Sequence, residues 1–316
     1  MRRREFIALV GGSAGWSLVA RAQQPTVPVI GFLSSTSAEE YTHVVAAFRQ
    51  GLKQVELIEG RNVAIEFRWA GGQYNRLAPL ADDLVRRKVA VIAAIGGNNP
   101  ALAAKSATST IPIVSVFGSD PIKLGLVANL RNPGTNVTGI SLLASDLATK
   151  RFELLTELVG NLRTIGFVIN PDNPNSTPDT GAAEIWGRVS GRQIIVVRAS
   201  TEGDLESAFA ALVQQRVGAL VVSADGFFTS RRKQLVELAA RHAVPTIFPW
   251  PDFVEAGGLI SYGTNLPSAY HQVGIYTGRI LKGASPADLP VQQATKDAPN
   301  NNRYDYDLAR VRGLIV

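Results

Sequence analysis

The sequence predicts an α/β protein built from two doubly wound parallel-sheet lobes joined by a hinge. Short apolar runs alternate with helical patterns and short polar joints, which is typical of parallel strands covered by helices. The same alternation occurs on both sides of Val114–Leu143, which therefore marks the passage between lobes. A chain of 316 residues is long for one core and sufficient for two lobes of ordinary domain size.

The composition excludes several classes of protein. Hydrophobic residues make up 46% of the chain and charged residues 18%, as in globular proteins and unlike disordered ones. There are no cysteines, so disulfides, thiolate metal sites and cysteine nucleophiles are excluded. The net charge is +6, but the basic residues are scattered and form no nucleic-acid-binding motif. We therefore expect no nucleic acid partner.

The first residues of the chain are typical of an export signal. An apolar run over Phe6–Ala20, too short for a comfortable membrane span, precedes small residues suited to a signal peptidase at Ala20-Arg21-Ala22. The stretch Arg3–Ile7 is similar to the twin-arginine motif. We expect a signal peptide over residues 1–22, of twin-arginine type or alternatively an ordinary secretory signal. Either signal predicts an exported, periplasmic mature protein.

Four buried strands and three helices are predicted in the first lobe. The strands are Pro28–Leu33, Val63–Phe67, Val89–Ile95 and Ile111–Val116, and the helices begin after Ser37 and lie over Tyr74–Arg87 and Ala101–Thr108. Ligands bind such sheets beyond the carboxyl ends of the strands, where Ser34–Ser37, Gly96–Asn99 and Phe117–Pro121 lie. None of these loops contains a glycine-rich phosphate motif, so no nucleotide cofactor is predicted.

The second lobe repeats this plan. The predicted strands are Thr164–Ile169, Gln193–Arg198, Ala219–Ser223, Pro245–Phe248 and Gly258–Tyr262, separated by helices over Ser145–Val159, Thr180–Val189, Glu202–Gln215 and Ser230–His242. A further helix over Pro267–Lys282 follows a complete second lobe. This late position indicates that the chain returns to the first lobe.

Polar and aromatic side chains gather at the predicted strand ends of the second lobe. They are Asn170, Asp172, Asn175, Asp225, Phe227, Phe228 and Tyr262, a combination that suits a small-molecule cleft. For each group, a purely structural role remains an alternative to ligand binding. Asp172 and Asp225 also stabilise turns through the backbone, and Phe227 and Phe228 also suit packing beneath a loop. The hydroxyls of Ser34–Ser37 either bind a carboxylate-like group or only cap the following helix.

Several passages of the chain resemble one protein family. They are PVIGFLSSTS, KSATSTIPIVSVFGSDPIKLGLVANLRNPGTNVTGIS, VINPDNPNS, LAARHAVPTIF, EAGGLISYGTNL and ILKGASPADLPVQQATK. In this order they resemble the substrate-binding proteins of ABC transporters, with the type I periplasmic fold, in the tryptophan/tyrosine-type branch. The resemblance runs from about Pro28 to Lys296, nearly the whole mature chain.

The resemblance implies two hinged lobes that close on a small molecule and then dock on a membrane permease, without catalysis. Ser34, Ser35 and Asn98 would hold a carboxylate-like group, and Asp120 or Asp225 would face an ammonium group. An apolar or aromatic body would stack on Phe117, Phe227 or Tyr262. The positions of this chain that match the ligand contacts of the family are Ser34, Ser35, Gly97, Asn98, Phe117, Asp120, Ser141, Asn170, Asp225, Phe227 and Tyr262.

The predicted lobe boundaries follow from the crossing segments. Residues 27–140 with 264–290 form the first lobe, and 141–263 with 291–316 the second. The hinge is placed at Thr138–Leu142, Tyr262–Thr264 and Val291–Thr295. From Asp297 the chain departs from the family pattern, because a polar stretch with no strand pattern replaces an expected apolar strand. We therefore expect an open sheet edge in the second lobe and, over Asp307–Val316, only weak helical character.

Two other functions are alternatives to a solute-binding protein. An exported hydrolase would need catalytic groups, but His43, His242 and His271 lie far apart on predicted helices and no catalytic motif is present. An exported ligand-sensing domain for a signalling partner remains the second alternative. The primary prediction is a monomer that binds a small organic, amino-acid-like or aromatic ligand, uses no metal or cofactor, and delivers the ligand to an ABC permease.

Overall fold

The computed structural model describes residues 27–142, 144–294 and 302–306, with side chains for all of these except 144–146 and 302–306. The predicted signal peptide and the weak helical pattern at the C-terminus lie outside the described residues. In the described part of the chain, no helix combines the length and apolar character that crossing a membrane requires.

The first lobe contains a six-stranded parallel sheet. Its strands are β1 (Val29–Ser34), β2 (Ala64–Trp69), β3 (Val91–Ile95), β4 (Ile113–Phe117), β5 (Val137–Ser141) and β11 (Gln292–Gln293), in the order β11-β5-β4-β3-β1-β2. Helices α1 (Thr42–Gln54), α2 (Leu77–Arg86) and α3 (Asn98–Ala107) connect the first four strands. The strands β3, β4 and β5 are buried throughout, which explains their nearly continuous apolar runs.

The second lobe contains another six-stranded sheet, in the order β12-β10-β9-β8-β6-β7. Its strands are β6 (Thr164–Ile169), β7 (Gln193–Arg198), β8 (Ala219–Val222), β9 (Thr246–Phe248), β10 (Ile260–Thr264) and β12 (Asn302–Tyr306). The helices are α4 (Ala144–Val159), α5 (Ser176–Ser190), α6 (Glu202–Gln214), α7 (Gly226–Ser230), α8 (Arg232–Arg241) and α9 (Pro251–Glu255). Two doubly wound lobes confirm the predicted fold class.

Both sheets reverse their strand order once, and these reversals position the functional site. The order changes direction between β1 and β3 in the first sheet and between β6 and β8 in the second. Connections on either side of such a switch point leave toward opposite faces, which creates a crevice at the carboxyl ends of the strands. The loops that begin at Ser35, Gly96, Asn170 and Ser223 therefore border two crevices.

Helix α10 (Leu266–Leu281) returns the chain to the first lobe, as the sequence predicts, and packs along α1. Two glycines permit the close approach of the helices. A Cβ atom at Gly274 would overlap the carbonyl oxygen of Phe48, and one at Gly51 would overlap the carbonyl oxygen of His271. The absence of side chains at both positions therefore sets the distance between α1 and α10.

The sequence predicts that residues 291–316 belong to the second lobe, but in the structure residues 291–294 lie in the first lobe. Gln292–Gln293 pair with Ile140 and Ser141 of β5, at the edge of the first sheet. The N–H of Val291 donates to Leu130 over 2.7 Å, and the Val291 side chain is buried in the core of the first lobe. The chain therefore leaves the first lobe after Ala294, because an apolar anchor and backbone pairing hold this stretch there.

The expectation of an open edge in the second sheet is wrong. Residues Asn302–Tyr306 form β12, which pairs antiparallel with β10 and places Tyr304 opposite Tyr262. Main-chain hydrogen bonds need no apolar pattern, so a polar segment can complete a sheet that apolar strands began. The position of Tyr304 and Tyr306 at alternate residues is also favourable, because aromatic residues are enriched in strands.

We predict that Gly274→Ala destabilises the protein by about 1–3 kcal/mol, because the added methyl group forces α1 and α10 apart. Urea denaturation measures the change. Gly203→Ala is the matched control, because Gly203 lies in helix α6 with open space around its Cβ position. Alanine favours helix over glycine, so the control should be neutral or stabilising by up to about 1 kcal/mol. Equal stability of the two variants would contradict the close packing of the helices.

Candidate functional site between the lobes

The two switch points face each other across a cavity of about 40 Å³. Loops of both lobes and helix α10 line it. The lining residues are Tyr41, Tyr74, Gly96, Gly97, Asn98, Asn99, Val116, Gly118, Leu142, Asn173, Asn175, Ala224, Asp225, Gly226, Thr229, Trp250, Leu266 and Tyr270. Among these described lining residues, Asp225 alone carries a formal charge at neutral pH.

Asp225 is a buried carboxylate held by four hydrogen bonds. Its Oδ1 atom accepts from Nδ2 of Asn170 at 3.2 Å and from the N–H of Phe228 at 3.1 Å, where it caps helix α7. Its Oδ2 atom accepts from Nδ2 of Asn173 at 2.8 Å and from Tyr74. Burial raises the pKa of Asp225, and these hydrogen bonds offset part of that effect.

Tyr74 joins the first lobe to the Asp225 carboxylate. Its hydroxyl donates to Oδ2 of Asp225 at 2.6 Å and accepts from the N–H of Gly226 at 3.1 Å. Burial and the neighbouring negative charge raise the pKa of Tyr74 well above its usual range, so the hydroxyl stays protonated at neutral pH. The Tyr74–Asp225 pair is therefore a charge-assisted hydrogen bond between lobes.

Asn98 makes a second connection between the lobes. Its Nδ2 atom donates to Oδ1 of Asn175 in the second lobe at 2.8 Å and to Oγ of Ser119 at 2.9 Å. Its Oδ1 atom accepts from the N–H of Gly118 at 3.1 Å. Both amide protons are thus used within the protein, and the Asn98 side chain is not available to a carboxylate in this arrangement.

The main chain at the start of α3 offers a different anion-binding feature. Gly97 precedes the helix with φ of 106°, a conformation that favours glycine, and it provides no side-chain cap. The first N–H groups of a helix have no acceptor within the helix. Pro100, the third residue of α3, has no N–H group, so the N-terminus of α3 presents the N–H groups of Asn98 and Asn99 and the positive end of the helix dipole at the cavity.

Further contacts between the lobes surround the cavity. Nδ2 of Asn99 donates to the carbonyl oxygen of Asp172 at 3.0 Å. Glu40 forms an ion pair with Arg232, and Nε2 of His43 lies 3.3 Å from Oδ1 of Asp252. The two lobes are thus in direct contact on several sides, which is the closed arrangement of a hinged pair.

Four aromatic residues form the walls of the cavity: Tyr41, Tyr74, Trp250 and Tyr270. The hydroxyl of Tyr270 accepts from the N–H of Gly96 at 3.1 Å, and burial raises its pKa to about 12. Burial also raises the pKa of Tyr41 well above its usual range. The walls therefore stay uncharged at neutral pH, and their faces suit an apolar or cationic group.

The structure places three of the sequence-predicted site residues on the cavity and two directly behind it. Gly97, Asn98 and Asp225 line the cavity. Asn170 lies one hydrogen bond behind Asp225. Ser35 donates to the carbonyl oxygen of Gly96 at 2.8 Å, so it supports the turn before α3.

The remaining predicted residues lie elsewhere. Ser34 is fully buried and hydrogen-bonds to Thr36. The rings of Phe117, Phe227 and Tyr262, expected to stack on a ligand, are packed in the hydrophobic cores instead. Strand residues alternate between faces and helix residues follow a longer period, so adjacent side chains of one strand-end loop reach different surroundings. Asp120 and Ser141 line a separate, larger chamber.

Sequence reasoning missed the aromatic walls. Tyr41 and Tyr74 precede helices, and Tyr270 lies within α10, so none of them follows a strand. Only Trp250 had a local signal, an aromatic residue between two prolines directly after β9. The other three become neighbours through the return of α10, which packs along α1 and against β3 and β4, and through the contact of Tyr74 with Asp225 of the second lobe.

The chain belongs to the family of ABC transporter substrate binding proteins, whose family model matches residues 26–299. This confirms the resemblance seen in the sequence and defines a binding protein rather than an enzyme. A curated relative is the tyrosine-binding protein of Clostridioides difficile (strain R20291). It is 27% identical over 244 residues, which cover 77% of this chain and 70% of the relative.

Two solved structures have the same fold. One is the ABC domain in complex with L-Trp from Streptococcus pneumonia, with a TM-score of 0.80, 24% identity and coverage of 91% of this chain and 94% of that one. The other is the ligand-free, open structure of a substrate binding protein with adhesive properties from Clostridium difficile. Its TM-score is 0.64 at 26% identity, with coverage of 92% and 95%. The lower score against an open structure agrees with the direct contacts between the lobes found here.

We predict that Tyr74→Phe shifts the lobes toward separation. The variant removes a hydrogen bond to a charged group, a contribution of about 1.5–3 kcal/mol, which corresponds to at least a tenfold change in the ratio of closed to open molecules. Small-angle X-ray scattering should detect a larger radius of gyration.

Tyr276→Phe is the matched control for this measurement. The Tyr276 hydroxyl donates to the carbonyl oxygen of Pro290 at 2.8 Å, and both residues belong to the first lobe. The control therefore loses a hydrogen bond of similar length within one lobe and keeps every contact between the lobes. A radius of gyration that is the same in wild type and Tyr74→Phe would refute the role of Tyr74 in closure.

Proposed function

We propose that this protein is an extracytoplasmic solute-binding protein of an ABC importer. It captures a small amino-acid-like or aromatic ligand between its lobes and delivers it to a membrane permease. The observation that carries the proposal is the cavity between the two switch points. There a buried carboxylate of one lobe lies opposite the free N-terminus of a helix of the other lobe.

The one charged side chain among the described lining residues favours a ligand with an ammonium group. Asp225 is the acid among the described lining residues, and separation of the lobes removes the Tyr74 hydroxyl from its Oδ2 atom, which leaves that atom open to the ammonium group of an entering ligand. Its burial strengthens the attraction because the surroundings screen charge poorly. A carboxylate of the same ligand would be bound by the N–H groups at the start of α3. An amino acid carries both groups on one carbon atom, which matches the close spacing of these two elements around one small cavity.

The aromatic walls and the relatives favour an aromatic amino acid. Tyr41, Tyr270 and Trp250 enclose the cavity with uncharged faces. The names of two similar proteins, a tyrosine-binding protein and an ABC domain in complex with L-Trp, describe ligands of this class. Their names support the choice of ligands for a first experiment.

Capture takes place by hinge closure. A ligand that contacts both lobes binds the closed arrangement more tightly than the open one, so it shifts the population toward closure. The chain passes between lobes after β5, after β10 and after β11. These three crossings form the hinge, which allows the lobes to rotate while each sheet stays intact.

The site of action follows from the export signal. The twin-arginine pattern and the peptidase site support an exported protein, and the family supports an ABC permease as its partner. A monomer satisfies this function, because both halves of the cavity come from one chain.

The test is ligand binding by the mature chain. L-tyrosine or L-tryptophan should raise the melting temperature, because a ligand that binds only the folded state stabilises it. In isothermal titration, Asp225→Asn should weaken binding by about 30-fold or more, since loss of one partner of a buried charge pair costs about 2 kcal/mol or more. Asp172→Asn, an exposed acid of the neighbouring loop, should bind like wild type. Equal affinities in all three proteins would exclude Asp225 from the site.

The affinity should also fall in acid. The pKa of Asp225 is raised by burial, so the carboxyl becomes protonated at a higher pH than an ordinary aspartate. Protonation removes the charge that holds the ammonium group, and binding therefore weakens as the pH falls through this pKa. The same titration in Asp225→Asn should be flat over this range. An identical acid limb in wild type and variant would assign the effect to another group.

A further inference from the structure

The gap between the lobes continues into a second chamber of about 570 Å³. Residues of the loop from Gly118 to Leu124 form one side, and Pro174 and Pro178 of the second lobe form the other. Ser141 and Gln293, at the ends of β5 and β11, close it beside the hinge. This chamber is more than ten times larger than the cavity at Asp225.

The two spaces are neighbours. Gly118 lines both of them. Ser119 lines the second chamber and accepts the hydrogen bond from Asn98, which lines the first cavity. Asn175 lines the first cavity, and the adjacent Pro174 lines the second.

The Gly118 backbone and the Asn98 carboxamide lie where the two spaces meet. The carboxamide is held there by its hydrogen bonds to Ser119 and, across the lobes, to Asn175. Because Asn98 and Asn175 belong to different lobes, separation of the lobes breaks this bond. A ligand that enters the open protein can therefore occupy both spaces before the lobes close.

The chemistry of the second chamber suits an uncharged group. Pro121, Ile122, Leu124 and Leu130 line it with apolar surface. Ile122 is 42% exposed, so this large apolar side chain offers accessible surface to the chamber that it lines. The Asp120 carboxylate at the rim accepts from the N–H groups of Ile122 and Lys123, so it is engaged in its own turn.

The sizes of the two spaces complement each other. The first cavity holds the charged residue but only about 40 Å³, far below the roughly 300–1,000 Å³ of typical small-molecule sites. The second chamber falls within that range and has no charged side chain apart from those of Asp120 and Lys123 among its described lining residues. One ligand with a charged end and an uncharged body would use both.

We propose that the second chamber is a subsite for an uncharged ring of the ligand, whose ammonium end is held at Asp225. The position of the charged end depends on the proposed function, whereas the ring subsite stands on the chamber itself. The ligand class is thus an amine with a ring-sized uncharged body that extends past Gly118 toward the hinge. Ile122 is the residue that determines specificity for this body.

The test uses two probes, indole for the ring alone and L-tryptophan for the ring with an amino-acid end. Crystals soaked in either compound should show the ring between Ile122 and Pro178. Ile122→Glu should weaken L-tryptophan binding by about tenfold or more, because a charge would be brought against an apolar ring. Val213→Glu is the matched control, since Val213 is 43% exposed on α6 and lines neither space. It should bind like wild type.

The outcomes separate this proposal from the previous one. Indole bound in the second chamber without binding of L-tryptophan would refute the role of Asp225 and support the ring subsite. L-tryptophan with its ring among Tyr41, Tyr270 and Trp250, and unaffected by Ile122→Glu, would overturn the subsite and support the proposed function. Absence of indole from the chamber in the soaked crystals would also overturn the subsite. Melting temperatures of both Glu variants establish that they are folded.

Discussion

The hydrogen bond from Tyr74 to Asp225 is the constraint around which the site is arranged. It places an uncharged hydroxyl of one lobe 2.6 Å from a buried carboxylate of the other. A buried carboxylate is costly unless hydrogen bonds compensate it, and three of its four donors, from Asn170, Asn173 and Phe228, lie in its own lobe. The fourth donor, the hydroxyl of Tyr74, belongs to the other lobe and reaches the carboxylate only when the lobes meet. Closure therefore completes the solvation of this carboxylate by protein groups.

The doubly wound topology explains why this contact occurs where it does. Each sheet has one reversal of strand order, and a crevice opens there at the carboxyl ends of the strands. The return of α10 to the first lobe aligns the two crevices, and the close packing of Gly51 and Gly274 holds that helix against α1. The site thus combines short loops on rigid sheets with a movable connection, which suits a protein that must both bind and release its ligand.

Individual residues illustrate how far a pattern along the chain predicts a site. Gly97, Asn98 and Asp225, which follow strand ends, line the cavity because topology places those ends at the crevice. The same reasoning was wrong about the surroundings of Phe117 and Tyr262, whose side chains point into the cores. A one-residue change in position along a strand reverses the face that a side chain occupies, and the end of a strand can be predicted only to within a few residues.

The sequence by itself determined the fold class, the repeated lobes, the late return of a helix and the family, because these depend on local periodicity and on motifs within short stretches. Only the tertiary structure decided that Tyr41, Tyr74 and Tyr270 form the walls, that Gln292–Gln293 join the first sheet, and that Asn302–Tyr306 complete the second. These features arise from contacts between residues far apart in the chain. Such contacts depend on main-chain pairing and on the approach of the two lobes, for which neighbouring residues carry no signal.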